Sequence, residues 1–139
     1  MDKVIFACVH NAGRSQMAAA FFNALADPDR AVALSAGTHP ADRIHPLVQQ
    51  AMGEVGLDLS AARPTRLTAD LAADARLLIT MGCGDECPYV PGLVVQDWPL
   101  PDPAGRDLET VRTIRDQVRS RVSELVAARG WLGSDHERH

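Results

Sequence analysis

A short apolar run, Val4-Ile5-Phe6-Ala7, empties into Cys8-Val9-His10-Asn11-Ala12-Gly13-Arg14-Ser15, after which Met17, Phe21, Phe22 and Leu25 recur at helical spacing. This is a strand, a tight loop and a helix. A strand joined to a helix by so short a loop buries an apolar face beneath that helix, which commits the chain to a layered α/β arrangement. The loop also carries chemistry. A glycine-bearing turn at a helix start aims several backbone N–H groups into one concavity, and the helix dipole adds partial positive charge there, so an anion is expected at this point. The same field, with Arg14, favours the thiolate of Cys8, the nucleophilic form of a cysteine. Arg14 can grip two oxygens of a tetrahedral oxyanion in a planar fork that lysine does not reproduce. Ser15 is placed to donate a hydrogen bond to the thiolate, and Asn11 suits a loop that needs an unusual backbone conformation and a bracing amide. Val9, Ala12 and Gly13 supply main-chain groups, while His10 reads as a variable, solvent-facing side chain. A lone cysteine is more often a small buried hydrophobe. The complete pattern of cysteine, five residues and Arg-Ser at a strand–helix junction favours the nucleophile.

The rest of the chain continues the alternation. Asp27-Pro28-Asp29 ends the first helix, and residues 31–34 read as a second strand closed by Ser35-Ala36-Gly37. His45-Pro46 opens a second helix with Val48, Ala51, Met52 and Val55 on one face, and a shorter helix over 68–73 takes Thr68 as its cap. Leu77-Leu78-Ile79-Thr80-Met81 is uncharged and reads as a buried parallel strand, and residues 93–96 as a last short one. Val111, Ile114, Val118, Val122 and Leu125 mark the final helix, with Gly130 just beyond. The expected fold is a single-domain open parallel four-stranded sheet with helices on both faces, over residues 1–133, followed by a polar tail over 134–139. In such sheets a site lies beyond the carboxyl ends of the strands. Cys8 and Cys83 each follow a strand directly, so both are expected at that edge.

Composition narrows the classes of partner. At 139 residues and 46% hydrophobic content the chain is large enough for one core of its own. Net charge is -4, from 14 basic and 18 acidic residues spread without blocks, which argues against nucleic acid and against an anionic membrane. An anion would be drawn by a local positive site. No apolar run has the length of a membrane span, and the first residues enter a strand without a signal-peptide layout. Three cysteines do not staple a chain of this size, so a reducing cytoplasm is the expected compartment, and a monomer the expected state.

Three further groups hold chemical potential. Asp102, in Trp98-Pro99-Leu100-Pro101-Asp102-Pro103, is a carboxyl on a stiff proline-bounded loop, suited to general acid catalysis or merely to a turn; Asp97 is the competing acid and Asp107 a helix cap. Cys83 and Cys87 flank Gly84-Asp85-Glu86. They can close a small disulfide if their Cα atoms come within about 7 Å, supply half of a metal site, or be unreactive. A structural zinc site takes four ligands and no second pair of suitable spacing is present, so no metal is expected.

The run from Cys8 to Ser15 with Gln16-Met17-Ala18, then Ser35-Ala36-Gly37, then Met81-Gly82-Cys83-Gly84-Asp85-Glu86-Cys87-Pro88, then Asp102-Pro103-Ala104-Gly105, together resemble the thioredoxin-coupled arsenate reductases, which share the low-molecular-weight protein tyrosine phosphatase fold. The resemblance implies arsenate as substrate, with phosphate or sulfate as analogues. It implies a relay in which Cys8 attacks arsenate, Asp102 assists departure of a hydroxyl, Cys83 resolves the adduct, and Cys87 draws the disulfide away. It implies no tightly bound cofactor, with electrons from thioredoxin or from a low-molecular-weight thiol such as mycothiol or glutathione. Potassium-binding members carry a glutamate and an aspartate where this chain has Ala19 and Thr65, so potassium is not carried over. A phosphotyrosine phosphatase is the alternative enzyme, although it wants aromatic walls where Ala104 stands and has no use for Cys83 and Cys87. A non-catalytic arsenic- or metal-binding thiol module is the alternative of another class. It leaves the anion cradle unexplained, since soft cations do not want one.

Overall fold

The computed structural model describes residues 1–81 and 93–133. The elements run β1 (Asp2–Cys8), α1 (Arg14–Leu25), β2 (Ala31–Gly37), α2 (Pro46–Glu54), α3 (Ala69–Ala72), β3 (Leu77–Thr80), β4 (Val94–Asp97) and α4 (Leu108–Ala128). The four strands form one sheet in the order β2-β1-β3-β4. Every pairing is parallel: Asp2 to Cys8 lie opposite Ala31 to Gly37, Val4 to Ala7 opposite Leu77 to Thr80, and Leu77 to Thr80 opposite Val94 to Asp97. The carboxyl ends of β1, β2 and β3 therefore arrive together, and the loop that begins at Cys8 starts from the middle of that edge.

The two-residue period of a strand divides the core. Val4, Phe6 and Cys8 point into the larger apolar cluster, which they share with Met17 and Phe22 of α1, Val48 and Met52 of α2, and Ile114, Val118 and Val122 of α4. Ile5 and Ala7 point the other way, into a smaller cluster with Ala36, Leu67, Ala72 and Leu78. Both faces of the sheet are thus covered, which is why β1 and β3 read as unbroken apolar runs. Phe22 is wedged in the larger cluster, its ring 6.0 Å from Phe6 and 5.6 Å from Trp131. Trp98, at the head of the Asp102 loop, packs on Phe6 with ring centroids 5.7 Å apart. β4 is one of the two edge strands, and it leaves Val94 and Val95 about half exposed.

Most element ends shift by a residue or two from the sequence expectation: β1 spans Asp2–Cys8, β3 stops at Thr80 and β4 spans Val94–Asp97, and β2 shows the largest change. β2 does not close at residue 34 but runs on through Ser35-Ala36-Gly37, pairing as far as Cys8. The Ser-Ala-Gly composition suggests a turn, whereas the glycine answers a close approach: a Cβ on Gly37 would stand 2.6 Å from the Val9 carbonyl oxygen and 2.9 Å from the Asn11 nitrogen. The tail over 134–139, like Cys83 and Cys87, lies outside the described residues.

α4 begins where Asp107 caps it, its side chain accepting the Thr110 N–H at 2.9 Å. Hydrogen bonding from Thr110, through its side chain first and then its backbone, holds the Asp107 carboxyl below the usual carboxylate range. A carboxyl lowered on folding stabilises the fold above its unfolded-state value, and that contribution is lost as pH falls through the folded value. Asp107→Ala is therefore expected to melt below the parent chain near neutral pH. The gap should close in acid, below the ordinary carboxylate range. Thermal denaturation followed by circular dichroism across that pH span checks it, and a gap that persists unchanged in acid contradicts it.

Candidate active site

The loop between β1 and α1 is turned so that its carbonyls face outward. Val9 O accepts from the His39 N–H (2.8 Å), His10 O from Ala41 (2.9 Å), Ala12 O from His45 (3.0 Å) and Gly13 O from Met17 (3.0 Å). Asn11 O accepts from the Gln16 side chain at 3.0 Å. In a planar trans peptide the N–H opposes the C=O, so these five carbonyls leave the N–H groups of His10, Asn11, Ala12, Gly13 and Arg14 on the concave side. Those amides follow Cys8 directly in the chain, where an oxyanion beside its sulfur would meet them. α1 also has Gly13 at its N-cap position, no capping side chain and no acidic residue in its first turn, so the positive end of the helix is left for an external anion.

Cys8 is buried at the floor, with Sγ 2.8 Å from Ser15 Oγ. The surroundings of Ser15 suit it as the donor to a thiolate. Asn11 Oδ1 accepts from the Thr65 backbone N–H at 2.8 Å, and a backbone amide can only donate there, so the Asn11 carboxamide has one orientation. Its Nδ2 therefore donates to Ser15 Oγ, at 2.7 Å. That leaves the Ser15 proton available to sulfur, and the thiolate form of Cys8, which has no proton of its own, accepts it. This is the bond a thiolate needs. Asn11 sits at φ 50°, the only non-glycine residue in the left-handed region among the described residues. Asparagine tolerates that conformation better than most residues, and here its carboxamide bridges the loop to the backbone of Thr65.

Arg14 starts α1 and reaches across to the Asp102 loop. Its Nη1 donates to the Leu100 carbonyl at 2.8 Å and its Nη2 lies 3.8 Å from Asp102 Oδ2. Asp102 is about half exposed and closes its own turn by accepting the Ala104 N–H at 2.9 Å. Pro103 lies against the cradle: a Cβ on Gly13 would come within 2.7 Å of Pro103 Cγ. The Asp102 side chain is thus delivered to the same edge as Cys8, from the loop between β4 and α4. Asp97, the competing acid, instead accepts from Thr80 Oγ1 at 2.8 Å, within the β3–β4 pair.

Of the residues singled out from sequence, the structure brings together Cys8, Val9, His10, Asn11, Ala12, Gly13, Arg14, Ser15 and Asp102. His10 is exposed and its Nδ1 lies 3.1 Å from the His39 carbonyl, on the outer side of the ring. Cys83 and Cys87 fall outside the described residues, in the segment that follows β3. Sequence reasoning missed the supporting groups: Gln16, Gly37, the Thr65 backbone and the Leu100 carbonyl. Gln16 adjoins the motif and Gly37 ends an apolar run, so both carried a weak signal. The Thr65 and Leu100 groups are backbone, and nothing in their side chains announces them.

A parallel four-stranded α/β fold whose first strand delivers a cysteine into an anion-binding helix start defines a class of thiol enzymes acting on tetrahedral oxyanions. The chain belongs to the low molecular weight phosphotyrosine protein phosphatase family, which it matches over residues 3–131. Within that family it is 41% identical to a putative arsenate reductase of Halobacterium salinarum, over 86% of this chain and 87% of that one. It is 39% identical to the glutaredoxin arsenate reductase of a Synechocystis species, over 91% of this chain and 98% of that one. Among solved structures it is similar to a thioredoxin-dependent arsenate reductase of Corynebacterium glutamicum, with a TM-score of 0.80 and 41% identity over 92% of this chain. This chain spans 61% of that longer protein. An arginine phosphatase of Geobacillus stearothermophilus, at 22% identity and a TM-score of 0.77, shares the fold.

Proposed function

We propose that this chain is an enzyme that reduces arsenate to arsenite through a cysteine relay. The observation that carries the reading is its similarity, near 40% identity along almost the whole chain, to proteins named as arsenate reductases. The site supplies a chemical rationale. Arsenate sits in the ring of amides and in the guanidinium fork of Arg14, and the Cys8 thiolate attacks arsenic as a hydroxyl leaves as water with a proton from Asp102. A Cys8 sulfur–arsenic(V) bond results. Cys83 thiolate attacks the Cys8 sulfur; the sulfur–arsenic bond breaks with its electron pair going to arsenic, arsenite departs, and a Cys8–Cys83 disulfide remains. Cys87 thiolate then attacks Cys83, which frees Cys8 as a thiolate and leaves Cys83–Cys87. A stabilised Cys8 thiolate is a good leaving group for that exchange.

An external dithiol returns two electrons to Cys83–Cys87. Thioredoxin is the donor we assign first, because a structural relative is thioredoxin-dependent; a glutaredoxin or small-thiol system is the other arm, after the glutaredoxin arsenate reductase relative. Among the described residues no helix is long and apolar enough to cross a membrane. The test couples arsenate reduction to NADPH oxidation through thioredoxin, glutaredoxin with glutathione, and mycothiol systems in turn. Turnover with one of them is expected for the parent chain and none for Cys8→Ser. Cys87→Ser should trap the Cys8–Cys83 disulfide, visible by mass spectrometry of peptides. Stoichiometric arsenite release by Cys83→Ser without added thiol would falsify the relay. Failure with every donor, together with brisk hydrolysis of an aryl phosphate, would make the protein a phosphatase.

A further inference from the structure

Gln16 lies in the first turn of α1 yet does not serve the helix. The residue is 5% exposed, and its Nε2 faces three oxygens: Asn11 O at 3.0 Å, Asn11 Oδ1 at 3.0 Å and Arg63 O at 3.2 Å. Two of these are backbone carbonyls, which only accept, so the carboxamide is fixed with its nitrogen toward them. Two N–H groups are shared among three acceptors. Both oxygens of Asn11 are held from the same nitrogen, which ties the left-handed Asn11 backbone to the side-chain orientation that feeds Ser15. The third contact anchors the pair to the segment at Arg63, two residues from the Thr65 N–H that grips Asn11 from its other side.

We infer that Gln16 is a positioning residue for the nucleophile, acting on Cys8 through Asn11 and Ser15; this rests on the reading of Cys8 as the attacking thiolate. Without the Gln16 donor, Asn11 O and one lone pair of Asn11 Oδ1 lose a buried partner, and the carboxamide is left to rock on its two remaining bonds, to Thr65 and Ser15. The Asn11 Nδ2 to Ser15 Oγ bond then loosens. The Ser15 hydroxyl, less firmly held by Asn11, turns away from the thiolate for part of the time. Of the amides from Ala12 to Arg14 only the Ala12 N–H loses its outward tether, because Ala12 O and Gly13 O keep their bonds from His45 and Met17, so the effect falls on the reactivity of sulfur more than on oxyanion binding.

The test uses Gln16→Met, which keeps length and bulk without a donor, and Gln16→Glu, which keeps shape and presents a carboxylate to the same oxygens. Alkylation of Cys8 by iodoacetamide near neutral pH is followed in a chain carrying Cys83→Ser and Cys87→Ser. A loss of about tenfold in the alkylation rate is expected for Gln16→Met, and at least as much for Gln16→Glu, since one charge-assisted hydrogen-bond chain is at stake. In the full chain kcat should fall by a similar factor, with KM for arsenate moving less. The decisive comparison is a double-mutant cycle with Ser15→Ala. If Gln16 acts through Ser15, adding Gln16→Met to Ser15→Ala costs little more than Ser15→Ala alone. Losses that multiply, or a wild-type alkylation rate in both Gln16 variants, overturn the inference while leaving Cys8 as the nucleophile. A Cys8 that alkylates no faster in the folded parent than in denaturant, and that arsenate does not protect, overturns the nucleophile reading and the inference with it.

Discussion

Arg14→Lys is expected to lower kcat/KM for arsenate by about 10²- to 10³-fold, although it conserves charge. The guanidinium spans two jobs at once. Nη1 holds the Leu100 carbonyl at 2.8 Å and Nη2 faces Asp102 at 3.8 Å, so one rigid plane links the cysteine loop to the loop carrying the acid. A planar fork also matches two oxygens of a tetrahedral oxyanion, and those contacts strengthen as charge builds on them. Lysine places a single point charge on a flexible stem. It can replace one of these contacts at a time, so either the Asp102 loop or the oxyanion loses its partner. The fold loses only one partly buried hydrogen bond to a carbonyl, so the melting temperature should move by no more than about 4–8 °C. Steady-state arsenate reduction with saturating reductant, read beside a melt, checks this. Activity within about threefold of the parent would show that charge alone suffices and that the fork has no part in the reaction.

Gly37→Ala is expected to destabilise the fold by about 2–4 kcal/mol and to depress turnover together with stability. The usual expectation has the opposite sign, because alanine in place of glycine at a compatible position stabilises by about 0.4–1 kcal/mol through the unfolded chain. Space decides the outcome. The added methyl would sit 2.6 Å from Val9 O and 2.9 Å from the Asn11 nitrogen, and both are backbone atoms that cannot swing aside as a side-chain tip can. Relief requires β2 to part from β1 at the Cys8–Gly37 pair or the cysteine loop to shift. Either movement strains the His39 N–H to Val9 O bond of 2.8 Å, one of the outward bonds that turn the loop amides inward. Urea denaturation gives the stability change, and kcat measured well below the transition separates loop damage from unfolding. A variant as stable as the parent would mean that the strand and loop yield more freely than a packed interior allows.

Much of this arrangement is legible in the residues themselves. The strand–loop–helix at the start, the parallel sheet and the long last helix follow from periodicity, since β1 and β3 are buried on both faces and α4 on one. Asp107 as a cap and Pro46 near a helix start are local chemistry, and both stand where that chemistry places them. The end of β2 is misread because Ser-Ala-Gly is a turn composition unless a neighbouring backbone needs the room. Gln16 escapes notice because a glutamine in the first turn of a helix has an ordinary explanation. Its significance depends on Arg63, which belongs to a distant segment of the chain.

The amino-acid sequence by itself determines that Cys8 sits between a strand and a helix, with Arg14 and Ser15 at the helix start, because helix initiation, glycine turns and strand burial are short-range matters. Only the tertiary structure decides what grips that loop. The Thr65 N–H sets the Asn11 amide and thereby the donor that holds Ser15 Oγ, Gly37 leaves room for the Val9 carbonyl, and the Leu100 carbonyl and Asp102 receive Arg14. Those partners are backbone groups or distant side chains whose availability is a property of packing. How firmly the hydroxyl beside the sulfur is held, the detail on which its reactivity turns, depends through space on residues that the order of the chain keeps far apart.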